Sequence, residues 1–250
     1  MNALLRIVLV AVLIGLWSSA PLLAAEVRVS AAASLSEALR EIAAIYTEDS
    51  PEARILINFG ASGALARQIE QGAPTDLYLS ANPRWMEYLV SAGRVAAEDV
   101  RLLVGNSLVF VGRAGLEVAA LADLSNLERI ALVNPRSGPA GEYAQQALEA
   151  AGVHAALAEK LILAQDVRQA VVYADRGEVD GALVYKTDAL LARQAVILYQ
   201  VPAELHEVIS YPMALTRSGR DNPHAVAFFR FLQGDNARRI LEQYGFIVAP

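Results

Sequence analysis

Two rhythms of apolar and polar positions alternate along the chain. Short unbroken apolar runs are followed by stretches whose apolar residues recur every three or four positions, the pattern of βα units and of a largely parallel sheet. Val27 to Ser30 reads as a strand; Ser34 and Glu37 then have capping-box spacing, and Leu35, Ala38, Leu39, Ile42 and Ile45 form one apolar stripe of a helix that Pro51 terminates. The plan repeats with a strand from Ile55 to Phe59, a turn from Gly60 to Gly63 and a helix from Leu65 to Gln71. A strand at Leu77 to Leu79, a helix after Pro83 carrying Trp85, Tyr88 and Leu89, and a strand at Leu108 to Val111 close this first group. A second series has strands at Ile130 to Val133 and Ala182 to Tyr185, with helices from Ala140 to Ala151 and from Val167 to Arg176 between them. The stretch from Val208 to Leu215, after Pro202, reads as a return crossing, followed by helices from Pro223 to Gln233, capped by Asn222, and from Ala237 to Gln243.

These elements predict an α/β protein of two lobes, each a mixed, mostly parallel sheet flanked by helices. Lobe 1 comprises 26–107 plus 212–250 and lobe 2 comprises 108–211, so the chain crosses twice and leaves a cleft at the junction, the usual place for a small ligand. The first 25 residues differ in kind: Arg6 precedes an apolar run from Ile7 to Leu16, and the small residues Ala24 and Ala25 precede Glu26, the layout of a cleavable secretory signal over 1–25. That run is shorter than the roughly 20 residues of a membrane span. The remaining chain, about 225 residues, suits two small domains.

Charge and composition narrow the function. Without Arg6 there are 20 basic against 27 acidic residues, which argues against nucleic acid or an anionic membrane as partner, so any bound anion must be held locally. The sequence has no cysteine, which excludes disulfides, thiolate metal sites, a cysteine nucleophile and a lipid-modified N-terminal cysteine.

Catalysis finds no footing. Gly60-Ala61-Ser62-Gly63 lacks the spacing of a nucleophile elbow, and His154, His206 and His224, read as surface residues, lie away from the ligand-facing turns. There is no phosphate-binding Gly-Lys-Ser/Thr run and no H-E-x-x-H pair. What remains is a set of short residues at helix starts that follow strands: Ser34, Ser62, Ala140 behind Pro139, and Val167 just after Asp166. Each start offers unpaired main-chain N–H groups and the positive end of a helix dipole, together an anion site without a cationic side chain. Taken singly, Ser34 and Ser62 serve equally as plain N-caps and Asp166 with Gln169 as a plain capping box. Tyr185, ending an apolar strand, has a hydroxyl that needs a partner if buried.

Several longer motifs occur in order: Ala31-Ala32-Ala33-Ser34-Leu35, Ser62-Gly63 leading to Ala66-Arg67-Gln68-Ile69-Glu70, Gly72-Ala73-Pro74-Thr75-Asp76, Pro139-Ala140-Gly141-Glu142-Tyr143, Asp166-Val167-Arg168 and Val184-Tyr185-Lys186-Thr187-Asp188-Ala189. On these the chain resembles the periplasmic molybdate-binding proteins of bacterial molybdate ABC importers, the ModA family, over nearly its whole length after the leader. The resemblance implies a type II-like periplasmic binding protein, a monomer in the periplasm, with a membrane ABC importer permease as partner, no cofactor, and molybdate or tungstate as ligand. It implies hydroxyl and N–H donors from Ser34 and Ser62, main-chain N–H donors from Ala140 and Val167, and a phenolic donor from Tyr185, all to the oxygens of the anion, with no protein atom on the metal. Arg67, Arg168 and Lys186 lie beside the motifs as possible sources of charge at the cleft. The competing readings are a protein of the same architecture for sulfate, phosphate or ferric ion, and a serine-dependent hydrolase acting through Ser34 or Ser62.

Overall fold

The computed structural model describes residues 25–248, so the leader expected over 1–25 lies outside the described residues apart from Ala25. Two five-stranded sheets organise the chain. The first contains β1 (Ala25–Ala32), β2 (Ala53–Gly60), β3 (Leu77–Leu79), β4 (Arg101–Gly105) and β10 (Ser210–Leu215), in the order β2-β1-β3-β10-β4. The second contains β5 (Leu108–Gly112), β6 (Ile130–Val133), β7 (Leu161–Ala164), β8 (Gly181–Tyr185) and β9 (Val196–Gln200), in the order β7-β6-β8-β5-β9. The sheets follow one plan. In each, one strand is flanked by two parallel neighbours, β1 by β2 and β3, β6 by β7 and β8. In each, a further strand pairs antiparallel on both sides, β10 with β3 and β4, β5 with β8 and β9. The expected mixed sheets are present, but the parallel pairings make up half of them rather than most. Ser210 and Tyr211 already pair with Gly105 and Val104 in the first sheet, two residues before the expected return at 212.

The interior strands are apolar on both faces because helices cover both: every residue of β5, β6 and β8 is buried. The helices that matter for the site and the closing layer are α1 (Ser36–Asp49), α2 (Ser62–Glu70), α3 (Pro83–Ser91), α4 (Pro139–Ala150), α5 (Val167–Asp175), α6 (Lys186–Ala189), α7 (Pro223–Phe231) and α8 (Asp235–Gln243), with two further single turns at His154–Leu157 and Arg217–Arg220. Pro83, Pro139 and Pro223 each stand first in a helix, where the missing N–H costs nothing. Asn82, Asp166 and Asn222 cap α3, α5 and α7 by accepting from main-chain N–H groups of the first turn. The closing helices return to the first sheet, α7 packing on β1 and α8 on α1, with Phe228 edge-on to Tyr46 at 5.0 Å.

The capping box expected at Ser34 and Glu37 does not form. Ser34 lies in a tight 3-10 turn, Ala33–Leu35, and α1 starts only at Ser36, after Leu35, with no side-chain cap. The Ser34 hydroxyl is instead 3.0 Å from the hydroxyl of Tyr211, and Glu37 pairs with Arg40 and Arg168. Ser62 is likewise the first residue of α2 rather than its cap, which is Ala61. At Asp166 the first half of the box is present, while Gln169 accepts from the N–H of Gln165, one residue ahead of the cap.

Candidate functional site

Where the two sheets face each other, β1, β2, β6 and β8 and the turns that leave them line a cavity of about 20 Å³. That is below the roughly 300–1,000 Å³ of pockets for drug-sized ligands, so the guest it fits is a small ion. Ser34, Ser62, Ala140, Val167 and Tyr185 all line it, and all five are buried. The geometry therefore gathers the five positions singled out in the sequence around one space, two from the first sheet's side and three from the second's.

Each is held from behind. Ser62 opens α2; its carbonyl accepts from the Tyr78 hydroxyl at 2.9 Å and its Oγ accepts from Ala81 N at 3.0 Å, which leaves its hydroxyl hydrogen free to donate. Ala140 is the second residue of α4 and Val167 the first of α5. Among the described residues, the N–H groups of Ser62, Ala140 and Val167 donate to no other main-chain group, as first-turn amides have no partner within their own helix. Helix α4 starts this close to β6 because residue 141 is glycine: a Cβ there would lie 2.0 Å from the carbonyl oxygen of Val133.

Ser34 is backed by two residues that sequence reasoning missed. Asn106 Oδ1 accepts from Ser107 N at 2.9 Å, so its Nδ2 is the end that donates, at 3.1 Å to Tyr211 Oη and at 2.9 Å to Thr187 Oγ1. The Tyr211 hydroxyl, taking that bond, is free to give its own hydrogen to Ser34 Oγ, and the Ser34 hydrogen is then free for the cavity. Burial and the nearby Asp188 carboxyl hold the Tyr211 phenol well above its ordinary range, so it remains a donor.

Tyr185 ends β8 with its ring buried and its hydroxyl paired to nothing among the described residues. Burial, then the neighbouring Tyr211 and Tyr143, push this phenol well above its ordinary range too. A buried hydroxyl without a partner costs about 1–3 kcal/mol, and this one borders the cavity.

Among the described residues lining the cavity there is no lysine, arginine or histidine, and its one carboxylate, Asp166, turns Oδ1 back to cap α5. Arg67 donates to the carbonyl of Arg136 at 3.3 Å and stacks over Trp85; Lys186 starts α6 outside the lining. Arg168 reaches across to the first sheet's side, donating to Ser36 Oγ at 3.0 Å and to Glu37 Oε1 at 3.2 Å. The three histidines are half-buried rather than exposed. The two halves also touch directly: Gly63 N donates to Ser137 O at 2.8 Å.

A small cleft between two similar α/β halves, lined by donors, is the arrangement of a solute-binding protein. The chain belongs to the bacterial extracellular solute-binding protein family, whose profile matches residues 27–247. It is 38% identical over 220 residues, 87% of this chain and 85% of the relative, to YvgL of Bacillus subtilis, named as an ABC transporter substrate-binding lipoprotein. It is 34% identical over 230 residues, 89% of this chain and 90% of the relative, to the molybdate-binding protein ModA of Haemophilus influenzae. In fold it matches the periplasmic molybdate-binding protein of Azotobacter vinelandii with a TM-score of 0.80, at 23% identity, over 90% of this chain and all of that one. Among the described residues no helix is long and apolar enough to cross a membrane.

Proposed function

We propose that this chain is a periplasmic solute-binding protein, not an enzyme, that captures molybdate, and with it tungstate, and delivers it as a monomer to a membrane ABC importer. The observation that carries this reading is the ring of donors without cations: hydroxyls of Ser34, Ser62 and Tyr185 and main-chain N–H groups of Ser62, Ala140 and Val167 border one small cavity. Molybdate at neutral pH is a fully ionised dianion that only accepts hydrogen bonds, which is what a donor-only lining serves. Each such bond to a charged acceptor contributes about 1.5–3 kcal/mol net, so five supply the roughly 8 kcal/mol of micromolar capture without a basic side chain. The molybdate-binding relatives support the choice among oxyanions. The serine-hydrolase reading lacks a base, since no histidine borders either serine's cavity among the described residues. The ferric reading finds at the cavity, among the described residues, only one tyrosine, Tyr185, and one carboxylate, Asp166, short of the clustered hard ligands that ion needs.

The division into lobes is proposed on the same reading, 26–107 plus 212–250 against 108–211, with the second crossing drawn back to Ser210 because β10 begins there. Titration calorimetry with molybdate, tungstate and sulfate tests the ligand. Molybdate and tungstate are expected to bind more tightly than about 10 micromolar; sulfate binding in that range with neither of the others would reassign the ligand.

A further inference from the structure

Beside the cavity, but outside its lining, one carboxylate joins the two halves. Glu142 sits in the first turn of α4, two residues after Ala140, and its side chain is only 10% exposed. Across the cleft, α3 and its cap present three donors to it. Trp85 Nε1 donates to Oε1 at 2.9 Å, Asn82 Nδ2 donates to Oε2 at 2.8 Å, and Arg84 Nη1 lies 3.4 Å from Oε2. Asn82 is fixed for this task, because its Oδ1 already accepts from Trp85 N as the cap of α3 and only its amide hydrogens remain. Trp85 is fixed too, its ring stacked under the guanidinium groups of Arg67 and Arg84 and set edge-on to Tyr88.

We propose that Glu142 is the latch of the cleft: a positioning residue that holds α4 against α3 once an anion is seated on the first turn of α4, and so sets how slowly the guest leaves. This rests on the oxyanion reading above. Two effects oppose each other at this carboxylate. Its charge repels a dianion bound at the same helix end, whereas two hydrogen bonds to a charged acceptor and the Arg84 pair hold the halves together. The latch wins because its charge is matched by Arg84 and by two aligned donors, while no atom of Glu142 borders the cavity. Since these bonds exist only when the halves meet, removing them acts on release far more than on capture.

The test uses the secreted, processed protein, in which Trp85 is the only tryptophan, Trp17 lying in the leader. Molybdate should shift the Trp85 emission of the wild type, and this shift should be small in Glu142→Leu. Chase of labelled molybdate should show Glu142→Leu releasing it roughly 10- to 100-fold faster, with association changed by no more than about threefold. Glu142→Gln, which keeps one acceptor, should fall between; Trp85→Phe should speed release less, and the double variant no more than Glu142→Leu alone. Melting without ligand should match the wild type in Glu142→Leu and Glu142→Gln, separating a latch from a merely structural role, whereas Trp85→Phe and the double variant lose some packing and are read on release alone. Wild-type capture with release unchanged or slowed in Glu142→Leu, or with additive effects in the double variant, overturns the latch alone. A wild type that binds neither molybdate nor tungstate overturns the oxyanion reading and the latch with it.

Discussion

Tyr185 carries a contradiction that a guest would resolve: a buried phenol, kept protonated by its surroundings, with no acceptor among the described residues. Tyr185→Phe removes the hydroxyl and keeps the ring in place. Calorimetry should show molybdate affinity falling by about 1–3 kcal/mol, while the ligand-free protein melts no lower than the wild type because an unpaired polar group has gone. A variant that binds as the wild type does would remove Tyr185 from the site. Such a residue is legible in the sequence because it ends an apolar run, as are Ser62, Ala140 and Val167 because they stand where a strand gives way to a helix. Tyr211 and Asn106 are not. Their role is to turn Ser34 outward through a chain of hydroxyls, and Ser34 and Tyr211 are separated by 177 positions, so no local spacing reveals the contact. The failed capping box has a backbone cause, since Ser34 lies inside a 3-10 turn and the helix starts two residues later at Ser36.

Elements carry the donors to the cavity, and the tolerance of that placement is set by close packing. The Gly141 position puts main chain against main chain, with α4 lying directly on the end of β6. Gly141→Ala would drive a methyl group to 2.0 Å from Val133 O, so α4 must shift outward and take Ala140 N with it. Overpacking of this kind costs about 1–3 kcal/mol of stability, and molybdate affinity should fall as well, read by denaturation and calorimetry on one preparation. Unchanged affinity in a destabilised variant would mean that α4 contributes no donor. The strands missed in the sequence share one property: β4, β7 and β9 are all at sheet edges. Each has at most one buried residue, so their apolar positions, including the unbroken runs Leu161 to Ala164 and Val196 to Tyr199, lie at the rim of the sheet rather than in its core. The antiparallel half of each sheet is hidden for a related reason, because pairing β10 with β4 or β5 with β9 depends on where distant segments return.

At the scale of the whole molecule, the proposed reading makes closure and binding one event, because the donors come from both halves. Molybdate at about 100 times its dissociation constant should add about 2.7 kcal/mol of stability and raise the melting temperature by roughly 5–10 °C. Small-angle scattering should show compaction on binding, and a radius of gyration unmoved by saturating molybdate would contradict closure. The halves are also tied at Arg168, which reaches Ser36 and Glu37 from α5 while its Nε lies 3.4 Å from the Oδ1 of Asp188. Asp188 is fully buried and neither of its carboxyl oxygens accepts a hydrogen bond among the described residues. Burial raises its pKa from 3.8 to about 7, with Arg168 opposing the shift and Asp166 adding to it. Between those values the folded chain holds a proton that the unfolded chain has released. The contribution of Asp188 to stability is thus complete below about pH 4 and is lost as the pH rises through about 7. Asp188→Asn, uncharged throughout, abolishes that slope while leaving Arg168 its contacts with Ser36 and Glu37. Urea denaturation of both proteins from pH 4 to pH 8 should show the stability of the variant gaining on the wild type across this window and levelling above it. A difference independent of pH would mean that Asp188 ionises in the folded chain much as it does in the unfolded one, with Arg168 compensating its burial.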